Sequence, residues 1–336
     1  MGAVVVACER CGEEHLLFRS CRNRNCPGCQ AEAREAWLDA RERELLPVPY
    51  FHVVFTVPEV LNPLALYCPE VFYAALLRAA GNALLDVGRS KLRALLGCLT
   101  VLHTWGQNLS LHPHVHCVVP GGGFSPDQKR WIAVRNPKFL LPVKVLSRRF
   151  RTLLCEGLRE AERQGKLERV PKTVTPHLAI ENAGAQEWIA YAKRPFGGPE
   201  QVLAYLSRYT HRIAISNSRI ESFENGHVTF RWRDYADENR LKHSRVAAVE
   251  FLRRFLMHVL PDGFVRIRYY GFLAHRNRHC RIELARTLIG RRVALHRGSR
   301  EAPVRLCPRC YAATRSREST TQAGAQVRPP PLPISA

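Results

Sequence analysis

The sequence predicts an α+β protein in two unequal parts, a small cysteine-rich N-terminal module and a larger domain of mixed helices and strands. Three observations lead there. Five of the twelve cysteines fall within the first 29 residues. Beyond them, aromatic and β-branched runs of strand length alternate with longer stretches of helix-forming residues. The length of 336 residues is enough for about two domains with cores of their own.

The first element is CERCGEEHLLFRSCRNRNCPGCQ, in which two CxxC knuckles, Cys8/Cys11 and Cys26/Cys29, are separated by fourteen residues. Each knuckle turns two thiolates toward one point. A loop of that length lets the second pair complete the tetrahedron Zn²⁺ prefers, so Cys8, Cys11, Cys26 and Cys29 are the expected ligands of a structural zinc. Cys21 or His15 could replace one of them. The N-terminus has no basic flank or apolar run of signal-peptide length, so the chain is expected in the cytoplasm, where thiols stay reduced and bind metal rather than pairing as disulfides. A lone CxxC near the other end, Cys307/Cys310, has His279 and Cys280 as candidate partners.

Residues 31–46 read as a helix stopped by Pro47 and Pro49, which closes a zinc-binding module at 1–46. Residues 50–57 read as a buried strand and 70–95 as a helix. Strands follow at 98–107 and 114–119, the second ended by Gly121, Gly122 and Gly123, a backbone too free to continue a sheet. Helices are expected at 143–165, 198–210 and 247–260, with short strands over 211–232. The larger domain therefore runs over 47–300, and the polar, proline-rich 301–336 has the composition of a disordered tail. No stretch approaches the ~18 unbroken apolar residues of a membrane helix, so no membrane partner is expected.

Charge narrows the function. The net charge is +22, and it is uneven: residues 1–50 carry 7 basic and 8 acidic side chains, residues 201–300 carry 20 and 8. Arginine supplies most of the excess, and its planar fork grips phosphate and stacks on bases, so nucleic acid is the expected partner.

Chemistry is expected in LHPHVHCVVPGGG. His114 and His116 alternate on a strand, so their imidazoles leave one face close enough to share a divalent ion, while Val115 points into the core. Pro113 disrupts the strand before them. The preceding strand, VLHTWGQNL, offers His103 and Gln107 as third ligand if it pairs antiparallel across a short loop. In AYLSRYTHRIA, Tyr205 and Tyr209 stand four apart on an expected helix, their hydroxyls on one face beside Arg208 and near Arg212. A tyrosine can attack a phosphate and hold it covalently while a metal polarises the phosphoryl oxygens.

Together SCRNRNCPGCQ, LLPVPYFHVVFTVP, VLHTWGQNLSLHPHVHCVVPGGG, YAKRPFGGPEQVLAYLSRYTHRIAISNSRI and FRWRDY resemble the two-tyrosine HUH (His–hydrophobic–His) transposases of rolling-circle insertion sequences, relatives of the common-region element transposases, over residues 8 to about 275. The resemblance implies an HUH-endonuclease domain with a central antiparallel sheet flanked by helices. It implies that His114 and His116 hold Mg²⁺ or Mn²⁺, with His103 preferred to Gln107 as third ligand, and that Tyr205 and Tyr209 are the nucleophiles. It further implies cleavage of single-stranded DNA to a 5′-phosphotyrosine and a free 3′-hydroxyl, then strand transfer, with Arg208 and Arg212 on the DNA. The sequence contains no GxxxxGK loop, so single strands at element ends would come from a host helicase or the replication machinery, at the nucleoid. Seven residues precede Cys8, where relatives carry a helical segment, so the start reads as shortened or chosen late. The competing readings are an inactive or shortened copy and a zinc-dependent DNA-binding regulator.

Overall fold

The computed structural model describes residues 3–18, 30–193, 214–234, 237–274, 277–290, 307 and 309–310. The chain divides into two compact units, Met1–Asn23 with His296–Ala336, and Arg24–Leu295. The division differs from the expected boundary at 46 because the first helix, α1 (Gln30–Glu42), buries Leu38 among Tyr50, Leu99, Val101 and Val118 of the larger unit.

In the smaller unit β1 (Ala3–Ala7) and β2 (Glu14–Phe18) form an antiparallel hairpin. Cys8 and Cys11 lie in its turn, which is closed by hydrogen bonds from the Cys8 amide to the Glu13 carbonyl and from the Gly12 amide to the Cys8 carbonyl.

The larger unit is built on five antiparallel strands: β3 (Tyr50–Thr56), β4 (Gly97–Trp105), β5 (Leu111–Pro120), β8 (Ala190–Lys193) and β12 (Ile267–Gly271). Their order is β12-β4-β5-β3-β8, so the histidine strand β5 is central. Alternation decides which side chains face which layer. Phe51, Val53 and Phe55 of β3 and Val115, Cys117 and Val119 of β5 all lie in the main core on one face. That face is covered by α3 (Pro69–Val87), which packs on β4, β5 and β12, and by α4 (Val143–Arg163), which packs on α3 and β8. In α4 the residues Leu146, Phe150, Leu154 and Leu158 recur every four positions and are fully buried, each contributing roughly 2–3 kcal/mol of apolar burial. The short helices α2 (Asn62–Tyr67) and α5 (Pro176–Ala185) complete this layer.

The stretch Pro69–Leu92 is long and apolar enough, by length and composition alone, to cross a membrane. In this fold it is the core helix, with Phe72, Leu76, Ala80 and Leu84 buried. Pro113 does not break its strand, since β5 begins at Leu111, and the β4 register shifts between His103 and Trp105 opposite that point. β5 ends at Pro120, before the three glycines as expected, but the glycines then enter a separate sheet. Gly122 and Gly123 start β6 (Gly122–Phe124), which pairs with β7 (Trp131–Ala133), and a Cβ on Gly123 would stand 2.4 Å from the Leu95 carbonyl oxygen, a closeness only glycine allows.

A second sheet of β9 (Ile220–Glu224), β10 (His227–Asp234) and β11 (Arg240–Ala247), ordered β11-β10-β9, precedes α6 (Ala248–Leu256). Its Phe230 joins Trp105, Leu109 and Ala214 in a separate cluster beside the β4–β5 turn. Helix α7 (Arg278–Ile289) packs Ile282 and Ala285 against Leu46, Phe124 and Phe272.

Candidate metal centres and the transposase family

The face of the central sheet opposite α3 and α4 is apolar at the α1 end and imidazole-rich at the other. The β4–β5 register sets His103 opposite His114 and Val101 opposite His116. All three imidazoles therefore leave the same face, and one ligand nitrogen from each lies within 4.8 Å of the others. All three are buried.

Hydrogen bonds fix which nitrogens face inward. The Nδ1–H of His114 donates to the His112 carbonyl at 2.7 Å, which leaves the Nε2 lone pair to point at His103 Nδ1, also 2.7 Å away. His116 Nδ1 meets His52 Nε2 at 2.8 Å, so His116 presents Nε2. Trp105 sets its ring edge-on to His103, with centroids 3.9 Å apart, and shields it from solvent. Burial drives the His114 imidazole down to about 4, offset in part by the His112 carbonyl. Burial, reinforced by the neighbouring histidines, holds His103 and His116 well below the ordinary range. Three neutral imidazoles converging on one point are the donor set a divalent ion needs, because a ligating nitrogen must carry a lone pair. The residues fit such an ion.

Gln107 lies past the end of β4 in the turn 106–110, where strand alternation no longer places it on the face of His103. Its carbonyl accepts a hydrogen bond from Arg219 Nη2. Tyr205, Tyr209, Arg208 and Arg212 lie outside the described residues, as do Cys21, Cys26 and Cys29.

Among the described residues, the cysteine site draws in the C-terminal CxxC. Beside Cys8 and Cys11 stand Cys307 and Cys310: Cys8 Sγ is 3.6 Å from Cys310 Sγ, Cys11 Sγ is 3.6 Å from Cys307 Sγ, and all four sulfurs lie within 4.8 Å of one another. Zn–S bonds of about 2.3 Å give sulfur separations of about 3.8 Å in a regular tetrahedron, close to these distances. The Cys8 thiol is held below its ordinary value, chiefly by the backbone amides of Cys11 and Arg10. Arg309 and Glu13 form an ion pair of 2.9 Å within the same unit. Cys280, by contrast, is exposed on α7.

Two histidines beside the cluster escape the sequence reading. His52 sits inside a run that reads as plain buried strand, and its link to His116 depends on sheet register. His258 donates from Nε2 to the Leu109 carbonyl at 3.2 Å and meets Thr104 Oγ1 at 3.3 Å, pinning the β4–β5 turn, and no motif surrounds it.

The chain belongs to the transposase family whose model, described as "Putative transposase" (Y2_Tnp), matches residues 97–280, and residues 1–57 match the "Transposase zinc-binding domain" of IS91-type elements. It therefore carries a structural zinc domain. Among its relatives, the "Putative transposase y4qJ" of Sinorhizobium fredii (strain NBRC 101917 / NGR234) is 49% identical over 298 residues, covering 86% of this chain and 75% of that protein. The "Transposase for insertion sequence element IS801" of Pseudomonas savastanoi pv. phaseolicola is 30% identical over 276 residues, covering 79% of this chain and 64% of that one. Among solved structures, the metal-bound conjugative relaxase TrwC in complex with oriT DNA aligns at a TM-score of 0.28 and 13% identity, over 48% of this chain and 70% of that chain.

Proposed function

We propose that this transposase nicks and rejoins single-stranded DNA at the ends of an insertion element, promoting rolling-circle transposition. The observation that carries the reading is the convergence of His103, His114 and His116 as buried imidazoles on one face. They would hold Mg²⁺ or Mn²⁺, which when bound withdraws charge from the scissile phosphate oxygens and aligns the phosphate for attack. Tyr205 or Tyr209 is the nucleophile. Its oxygen bonds to phosphorus as the bond to the 3′ oxygen breaks, giving a 5′-phosphotyrosine and a free 3′-hydroxyl, and no water is consumed. In the reverse step a 3′-hydroxyl displaces the tyrosine and joins the strands.

Zinc in this reading is structural and held by Cys8, Cys11, Cys307 and Cys310, with Cys26 and Cys29 the expected set from the sequence. Arg208 and Arg212 contact the strand next to the tyrosines, and the +22 charge supplies the sequence-independent part of DNA affinity. The site of action is the cytoplasmic nucleoid, with single strands exposed by a host helicase or the replication machinery.

The test is incubation of the zinc-loaded chain with labelled single-stranded oligonucleotides carrying element ends. Cleavage in Mn²⁺ or Mg²⁺ that stops in EDTA, with label from the 3′ side of the break retained on the protein, is the expected result. Cleavage indifferent to EDTA, or none with any divalent ion, would refute the reading.

A further inference from the structure

On β3 the side chains alternate strictly, so Phe51, Val53 and Phe55 enter the core while His52 takes the opposite, histidine-bearing face. His52 is opposite Val118 and Val54 is opposite His116. His52 and His116 are therefore diagonal neighbours two positions apart, within reach of ring side chains. Their rings stack, centroids 5.0 Å apart and planes at 12°, with His52 Nε2 2.8 Å from His116 Nδ1. His114 obtains the equivalent contact from a main-chain carbonyl, that of His112. His116 obtains it from a side chain, which evolution or an experimenter can change.

We propose that His52 is a positioning residue for the divalent-metal centre: its Nε2 accepts the Nδ1–H of His116, fixing the tautomer and ring rotation that present His116 Nε2 to the ion shared with His103 and His114. The proposal rests on the metal reading above. A ligating histidine held at its other nitrogen is both oriented and made more basic, and loss of such a partner costs about 10–100-fold in metal affinity. The hydrogen bond also sets the roles on His52, whose own proton must sit on Nδ1.

The test uses Mn²⁺ titration of the zinc-loaded full-length chain, followed by electron paramagnetic resonance of free Mn²⁺, without DNA. His52→Leu keeps an apolar side chain on the strand but removes the acceptor, and Mn²⁺ affinity is expected to fall about 10–100-fold. His52→Gln restores an acceptor oxygen at similar reach and is expected to recover most of it, a rescue that a purely structural role for the ring would not give. His116→Ala is the control for the site itself and is expected to lose Mn²⁺ binding. Parent-like affinity in His52→Leu, with His116→Ala inert, would overturn the role of His52 alone. An equal loss in His52→Leu and a well-folded His52→Gln would also overturn it. Parent-like binding by His116→Ala would overturn the metal reading and this proposal together.

Discussion

Cys11 and Cys307 bring their sulfurs to 3.6 Å across 296 positions of chain. The expected partner of Cys11, in the knuckle at Cys26/Cys29, is far closer in sequence and lies outside the described residues. Closing a long loop instead of a short one costs only about 0.6 kcal/mol per doubling of its length, which a structural zinc site outweighs easily. Cys307→Ser is accordingly expected to lose one equivalent of tightly bound zinc, read by atomic absorption after gel filtration. Cys280→Ser, whose thiol is exposed on α7, is expected to keep full zinc. Full zinc in Cys307→Ser would mean that the C-terminal knuckle is no ligand.

The triad gives the second expectation. His114→Ala and His116→Ala should each reduce Mn²⁺-dependent nicking by at least about 10²-fold, since each removes a ligand from the ion that stabilises charge on the phosphate. Binding to a single-stranded oligonucleotide at low salt should stay within about threefold, because phosphate affinity comes from charge spread over the chain. His103→Ala is expected to behave the same way, and Gln107→Ala to retain activity. Nicking by His103→Ala together with loss in Gln107→Ala would reverse the assignment of the third ligand.

Much of the larger unit is legible because its pattern is local. The strand at 50–57, the helix at 143–165 and the alternation of His114, Val115 and His116 follow from period 2 and period 3.6 alone, and the structure returns them as β3, α4 and the core-facing Val115 between two histidines on the opposite face. The antiparallel pairing of the two histidine strands also follows, since five residues are enough to turn between them. What local pattern cannot carry is register between distant strands. His52 reaches His116 only because β3 pairs with β5 in one register, and a slip of one residue would send it into the core. Nor can local pattern foresee β12, which joins the sheet beside β4 from more than 150 residues away and whose Tyr269 ring meets the guanidinium groups of Arg41, 5.5 Å from its centroid, and Arg278, 4.4 Å from it. The glycines end β5 as their freedom suggests, but the close approach of the Leu95 carbonyl and the pairing of β6 with β7 are also long-range and have no local signature.

His258 makes stability depend on acid. Burial lowers it from the ordinary 6.5 to about 4 while its Nε2–H is held by the Leu109 carbonyl. The unfolded chain therefore takes up the proton first, so stability falls as the pH drops below 6.5 and levels off for this group below about 4. Full loss of that contribution amounts to about 3 kcal/mol. Urea midpoints compared at pH 7 and pH 4 should show the parent losing more stability than His258→Gln by about that amount. An identical pH dependence in the two would show that His258 is not titrating as a buried neutral ring.

The tyrosines are where packing and chemistry are hardest to tell apart from a sequence, because Tyr205 and Tyr209 four apart on a helix would also make an ordinary aromatic pair. Phenylalanine separates the two roles, keeping the ring and removing only the oxygen that must bond to phosphorus. The double variant Tyr205→Phe, Tyr209→Phe is expected to form no covalent adduct with labelled single-stranded DNA, at full zinc content and with unchanged oligonucleotide binding. Each single variant is expected to keep some first-strand cleavage and to lose completed transfer, since two nucleophiles let one cleave the first end while the other holds or resolves the second. If one tyrosine proves sufficient for both steps, the other is a packing neighbour and the enzyme works with a single nucleophile. An adduct that survives in the double variant would place the nucleophile elsewhere in the chain and defeat the phosphotyrosine assignment at these two positions.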